Sequence, residues 1–140
     1  MGDLKAFMLP PVMEQTEKVV ISKRFKDEKG NVIPFEIRAI SQEINESLYE
    51  QASKPVKKNG AIIGRNLDND RYSNLLLVAC TIYPNFKDSD LCAYYKTKDP
   101  ADVPARMLSS GEFKKLTSAV MQHNGFGEDQ QETLEEEAKN

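Results

Sequence analysis

The sequence predicts an α+β fold, an N-terminal antiparallel β-hairpin packed on a small bundle of about five helices. Three observations carry this. Residues 18–25 (KVVISKRF) and 32–40 (VIPFEIRAI) alternate apolar and polar side chains around a turn containing Gly30, the period-two pattern of paired strands. Residues 70–83 (DRYSNLLLVACTIY) place Tyr72, Leu75, Leu76, Ala79 and Tyr83 at i, i+3, i+4, i+7 and i+11, one face of a helix. Beyond them, prolines, glycines and capping residues divide the chain into short helical stretches.

Length and charge bound the class. At 140 residues one domain with a real core is expected without metals or disulfides. The reading divides the chain into a flexible arm (1–16), a single α+β domain (17–126) and an acidic disordered tail (127–140). The 19 basic and 22 acidic residues give −3. Residues 127–140 contribute six acids and Lys139, so 18 basic and 16 acidic residues remain and the body is +2. That balance lacks the strong basic stripe of a dedicated nucleic-acid binder. The longest apolar run is six residues, Leu75 to Cys80, far short of the roughly 20 needed to span a membrane. No signal peptide is evident, and two cysteines make no secreted framework, so a cytosolic setting with reduced thiols is expected.

Each element has its local signals. In the arm, Leu4, Phe7, Met8, Leu9, Val12 and Met13 surround Pro10-Pro11, which blocks a continuous helix. The arm is either a frayed terminus or a segment that docks on a partner. In the hairpin, Val19, Ile21 and Phe25 share one side of the first strand, and Ile33, Phe35, Ile37 and Ala39 one side of the second. Pro34 cannot donate to a ladder and should face outward. Ser41 caps a helix to about residue 53, with Ile44, Leu48 and Ala52 inward and Pro55 ending it.

Residues 54–69 lose periodicity, but Asn59-Gly60 suits a tight turn, so a short protruding hairpin is expected. Its Ile62 and Ile63 are either pinned to the core or exposed for a partner. Residues 70–83 form the central helix, capped by Asp68 or Asp70 and stopped by Pro84. Leu77, Val78, Cys80 and Ile82 fill the rest of its circumference, so it should have neighbours on several sides.

Asp88 or Ser89 starts a short helix with Leu91, Cys92, Tyr94 and Tyr95. Asp102 is expected to cap another, with Pro104 in its first turn. Ser109 and Glu112 have capping-box spacing for a helix to His123, with Asn124-Gly125 as its left-handed stop and Phe126 folding back.

The sequence offers little chemistry. His123 is the only histidine, which excludes histidine-rich metal sites, and no zinc-ligand spacing appears. No phosphate-cradling loop or dinucleotide fingerprint occurs. Tyr72, Tyr83, Tyr94 and Tyr95 have helical spacing that favours packing over base stacking. No catalytic, metal or cofactor site is expected, and no enzymatic activity. Phe7, Met8, Leu9, Ile62 and Ile63 are the candidate partner-binding residues.

Taken as a set, VVISKRFKDEKGNVIPFEIRAIS, YSNLLLVACTIYPNFKDSDLCAYY, DPADVPARMLSSGEFKKLTSAVMQHNGF and the acidic EEEAKN resemble the XkdN-like tail assembly chaperones of contractile-tailed phages and PBSX-like defective prophages. The resemblance covers most of the chain from Val19 onward and is weakest over residues 54–69. It implies a small α+β chaperone of the host cytoplasm, absent from the finished virion. The implied partner is the tape measure protein, which the chaperone keeps soluble while tail tube subunits polymerise around it. A structural tail protein is the alternative. The resemblance also implies a longer, frameshifted form that could recruit tube subunits. Ala138-Lys139-Asn140 permits a slippery A-rich codon run.

Overall fold

A computed structural model describes residues 2–126; the acidic stretch 127–140 lies outside them. Two short 3-10 helices, Gly2–Phe7 and Val12–Glu14, lie on either side of Pro10-Pro11. Strand β1 (Thr16–Val19) then pairs antiparallel with β2 (Phe35–Arg38), in the register Thr16 to Arg38 and Val19 to Phe35. Helix α1 (Gln42–Ala52) leads into a second hairpin, β3 (Ser53–Lys58) and β4 (Ala61–Leu67). Helix α2 (Asn69–Cys80) follows, then β5 (Thr81–Tyr83), α3 (Ser89–Tyr94), a 3-10 turn at Pro100–Asp102, α4 (Val103–Met107) and α5 (Ser110–His123). The fold is α+β, as the alternation and helical spacing predict.

Packing follows from apolar faces. Strand β2 is central in a three-stranded sheet ordered β1-β2-β5, and its alternating Phe35 and Ile37 are buried. They join Ile21, Leu48, Leu76, Leu77, Cys80, Phe86, Val103, Leu116 and Val120 in one core. Helix α2 packs against α1, α4, α5 and β5, and Leu76, Leu77, Val78 and Cys80 are all buried. An all-round apolar helix with several neighbours is therefore what forms.

Five details depart from expectation. The central helix ends at Cys80, three residues early, because Thr81, Ile82 and Tyr83 turn into β5 and pair with β2. These β-favouring residues satisfy β2's second edge, which a lone hairpin would leave open. Tyr83 is consequently exposed rather than on a buried helical stripe. The first strand is displaced: pairing runs from residue 16 to 19, and the chain then leaves the ladder until an isolated bridge joins Lys26 to Val32. Ile21 and Phe25 still pack on the core from this irregular stretch.

Pro55 does not end α1 but lies within β3, opposite Arg65. Asp102 is not a cap. Asp99 accepts from the Ala101 amide (3.0 Å), while the Asp102 carboxylate accepts from the Thr97 hydroxyl (2.8 Å). Asp99 precedes the 3-10 turn and adopts the extended backbone a cap needs, while Asp102 is that turn's last residue and already helical. Phe126 remains half-exposed.

The other terminal signals form as read. Ser41, Asp68 and Asp88 cap α1, α2 and α3 through side-chain oxygens. The capping box is complete: Ser109 Oγ accepts from the Glu112 amide (3.2 Å) and Glu112 Oε1 from the Ser109 amide (2.8 Å). Gly125 takes φ +81°. Phe126 N–H donates to Met121 O and Gly125 N–H to Gln122 O, the paired bonds of a Schellman stop.

Candidate partner-binding surface

The core is closed, yet large apolar side chains remain outside it. On the arm, Phe7 is 80% exposed, and Leu4, Met8 and Leu9 are also largely exposed. Pro10-Pro11 keeps this segment from extending into an amphipathic helix that could bury them. The first 3-10 helix packs substantially on no other element. The arm is tethered behind this cluster by His123, whose Nε2 lies 2.9 Å from the Gln15 carbonyl and Nδ1 3.1 Å from the Glu17 carboxylate. The lone histidine is thus structural: it ties the end of α5 to the entry of β1.

The second patch is the β3–β4 hairpin. Asn59 (φ +55°) and Gly60 (φ +79°) supply the two left-handed positions of its tight turn. At its root the Asp68 amide donates to the Ala52 carbonyl (2.9 Å). Ile62 and Ile63 are 64% and 62% exposed, so the structure chooses exposure over attachment to the core. A register shift decides their direction. Gly64 lies opposite Val56, while Ile62 lies opposite Lys57. Successive residues alternate faces, so Ile63, next to Gly64, shares the face of Lys57, and so does Ile62. The bulge absorbs the extra residue and puts both isoleucines on one side, with Pro55, Arg65 and Leu67.

The five candidate residues therefore occur as two separate patches, Phe7, Met8 and Leu9 on the arm and Ile62 and Ile63 on the hairpin. A third region escaped the sequence reading. Tyr83, Pro84, Leu91 and Tyr94 line a shallow groove of about 420 Å³ with Asp88 and Asp90, and Tyr94 is 76% exposed. Only the premature end of α2, where Thr81–Tyr83 pair with β2, brings Tyr83 there. Tyr72 behaves differently: it stacks on Tyr49 at 4.3 Å between ring centroids and its hydroxyl meets buried Asn45.

Reactive groups are committed elsewhere. Burial pushes the Cys80 thiol up to about 11, and Cys92 Sγ donates to the Phe86 carbonyl at 3.2 Å. Neither has the electropositive, accessible setting of a nucleophile. Glu112 forms a two-pronged pair with Arg24, both contacts 2.8 Å. The Arg24 hydrogen bonds, then the Ser109 amide and Ser22, hold its carboxyl well below the usual range. Among the described residues no cluster of three acidic, histidine or cysteine side chains is placed to hold a metal, and no helix is long and apolar enough to cross a membrane. What the surface offers is apolar contact.

A family model described as phage XkdN-like tail assembly chaperone protein matches residues 4–139. The phage-like element PBSX protein XkdN of Bacillus subtilis (strain 168) is 44% identical, over 99% of this chain and 94% of that protein. The uncharacterized protein YqbN of the same organism is 42% identical, over 99% and 93%. The crystal structure of YqbN superposes with a TM-score of 0.68 at 34% identity, over 81% of this chain and 87% of that one.

Proposed function

Because the chain belongs to the XkdN-like phage tail assembly chaperone family, we propose that its client is the tape measure protein, held soluble in the host cytoplasm until tube subunits assemble around it. The family assigns tail assembly; the exposed apolar patches on a closed core support this finer reading. Phe7, Met8 and Leu9 on the arm, with Ile62 and Ile63 on the hairpin, present exposed apolar contacts. Such patches match the apolar stripe of a long amphipathic helix, the helix-in-groove mode of recognition. The chaperone leaves before the tail matures, and a longer frameshifted form links the same body to tube subunits.

Co-expression with the tape measure protein tests this. The chain should move the client into the soluble fraction and co-purify with it. Phe7→Ser/Met8→Ser/Leu9→Ser should weaken both effects with the fold intact. A client equally soluble without the chain overturns the reading, and stoichiometric copies of the chain in purified mature tails would mark a structural tail protein instead.

A further inference from the structure

The groove beside α3 has a chemistry of its own. Tyr83 and Tyr94 are 55% and 76% exposed and wall it together with Pro84 and Leu91. Tyr95 meets the Tyr94 ring edge-on, 5.0 Å between centroids, and braces that wall. Asp88 and Asp90 stand in the same lining, which holds no lysine or arginine. The Asp88 carboxylate accepts from the Asp90 and Leu91 amides (2.9 and 3.1 Å), so it is fixed at the start of α3. Exposed aromatic faces beside carboxylates suit a proline-containing segment that carries a positive charge. Proline rings pack on aromatic walls, and the polyproline II conformation is ordered before it binds.

The chain displays such a segment itself. Leu9, Pro10 and Pro11 are exposed, and Pro11 has φ −53° and ψ 141°, close to polyproline II. Leu9 and Pro10 each precede a proline, which steers them toward the same extended region. Residues 4–13 carry a single charge, Lys5, opposite in sign to the groove. Within one copy the two features lie apart. The arm enters β1 at one edge of the sheet, whereas Tyr83 ends β5 at the other. Among the described residues, none from the arm lines the groove. A second copy meets no such separation.

We propose that Leu9-Pro10-Pro11 of one copy docks in the Tyr83–Tyr94 groove of another, with the prolines against the tyrosine rings and Lys5 toward Asp88 and Asp90. The contact is heterologous, arm to groove, so each half can be disabled in a separate copy. An arm held by a neighbouring copy presents Leu9 to a client only on release. That competition alone rests on the chaperone reading; self-association is measured with no client present, so the two fail separately.

Sedimentation velocity of the full chain by itself tests this. The mass of the parent should rise above 15.8 kDa as its concentration is raised. Pro10→Gly/Pro11→Gly loosens the arm's backbone, and Tyr94→Ser/Asp90→Asn strips the groove while leaving the Asp88 cap. Each should weaken association about tenfold or more, with the urea midpoint unchanged. Mixing the two variants should restore a complex with one copy of each, because one keeps its groove and the other its arm. A parent that stays at 15.8 kDa at every concentration overturns the proposal. So does association that survives in both variants, or a mixture of the two that stays apart. Amide shifts at Tyr83 and Tyr94 caused by Pro10→Gly/Pro11→Gly in a chain that remains monomeric would make the copy's own arm the occupant, and overturn it likewise.

Discussion

Helix α2 and the β3–β4 hairpin are chain neighbours with similar numbers of residues and opposite fates. Both present branched aliphatic side chains. In α2, Leu76, Leu77 and Val78 find neighbours on every side and vanish from solvent. In the hairpin, Ile62 and Ile63 are set by the bulge on one face that the other described residues leave exposed. Apolar residues therefore meet two environments within 25 positions: one group holds the domain together, the other stays exposed on the hairpin. Substitution should separate them cleanly.

The largest effect belongs to the helix. Leu77 is 1% exposed, so Leu77→Ala should cost about 2 to 5 kcal/mol through lost burial and the cavity left behind. Urea unfolding followed by circular dichroism measures it, and an unchanged midpoint would remove α2 from the centre of the fold.

Next is the clamp between the irregular β1–β2 connection and α5. Arg24 holds the folded Glu112 carboxyl well below its ordinary range, so the charged form is favoured by folding. That contribution is present at neutral pH and is lost as pH falls below about 4.3, the ordinary glutamate value, toward the depressed folded one. Glu112→Gln keeps a capping side chain but removes the charge. The stability gap between it and the parent should be widest near pH 7 and close in acid. A gap independent of pH would contradict the ion pair.

A smaller effect runs the other way. Thr81 Oγ1 is buried with no hydrogen-bond partner among the described residues, so Thr81→Val should raise stability by about 1 kcal/mol by removing that desolvated group. A fall in the denaturation midpoint would show that the hydroxyl is satisfied.

These positions also show what the sequence could disclose. The capping box at Ser109 and Glu112 and the stop at Gly125 are local, complete within a few residues, and were readable. The end of α2 was not, because Thr-Ile-Tyr continues a helical apolar pattern and becomes a strand only through pairing with β2, more than 40 residues away. Asp99 and Asp102 each stand just ahead of a proline, and only backbone conformation, extended at Asp99 and helical at Asp102, distinguishes the cap. Exposure of Ile62 and Ile63 was an open alternative. Their common face depends on a bulge that has meaning only once the partner strand is known. The groove at Tyr83 and Tyr94 went unread for the same non-local reason.

The smallest expected stability change belongs to the hairpin, whose isoleucines we propose are held out for a client. Ile62→Ser/Ile63→Ser removes only exposed side chains and should leave the urea midpoint within about 0.5 kcal/mol of the parent. The decisive measurement is the amount of tape measure protein that co-purifies with this variant relative to the parent chain at equal expression. A marked loss of client with an unchanged unfolding midpoint is expected. Full retention of the client by a folded variant would contradict it.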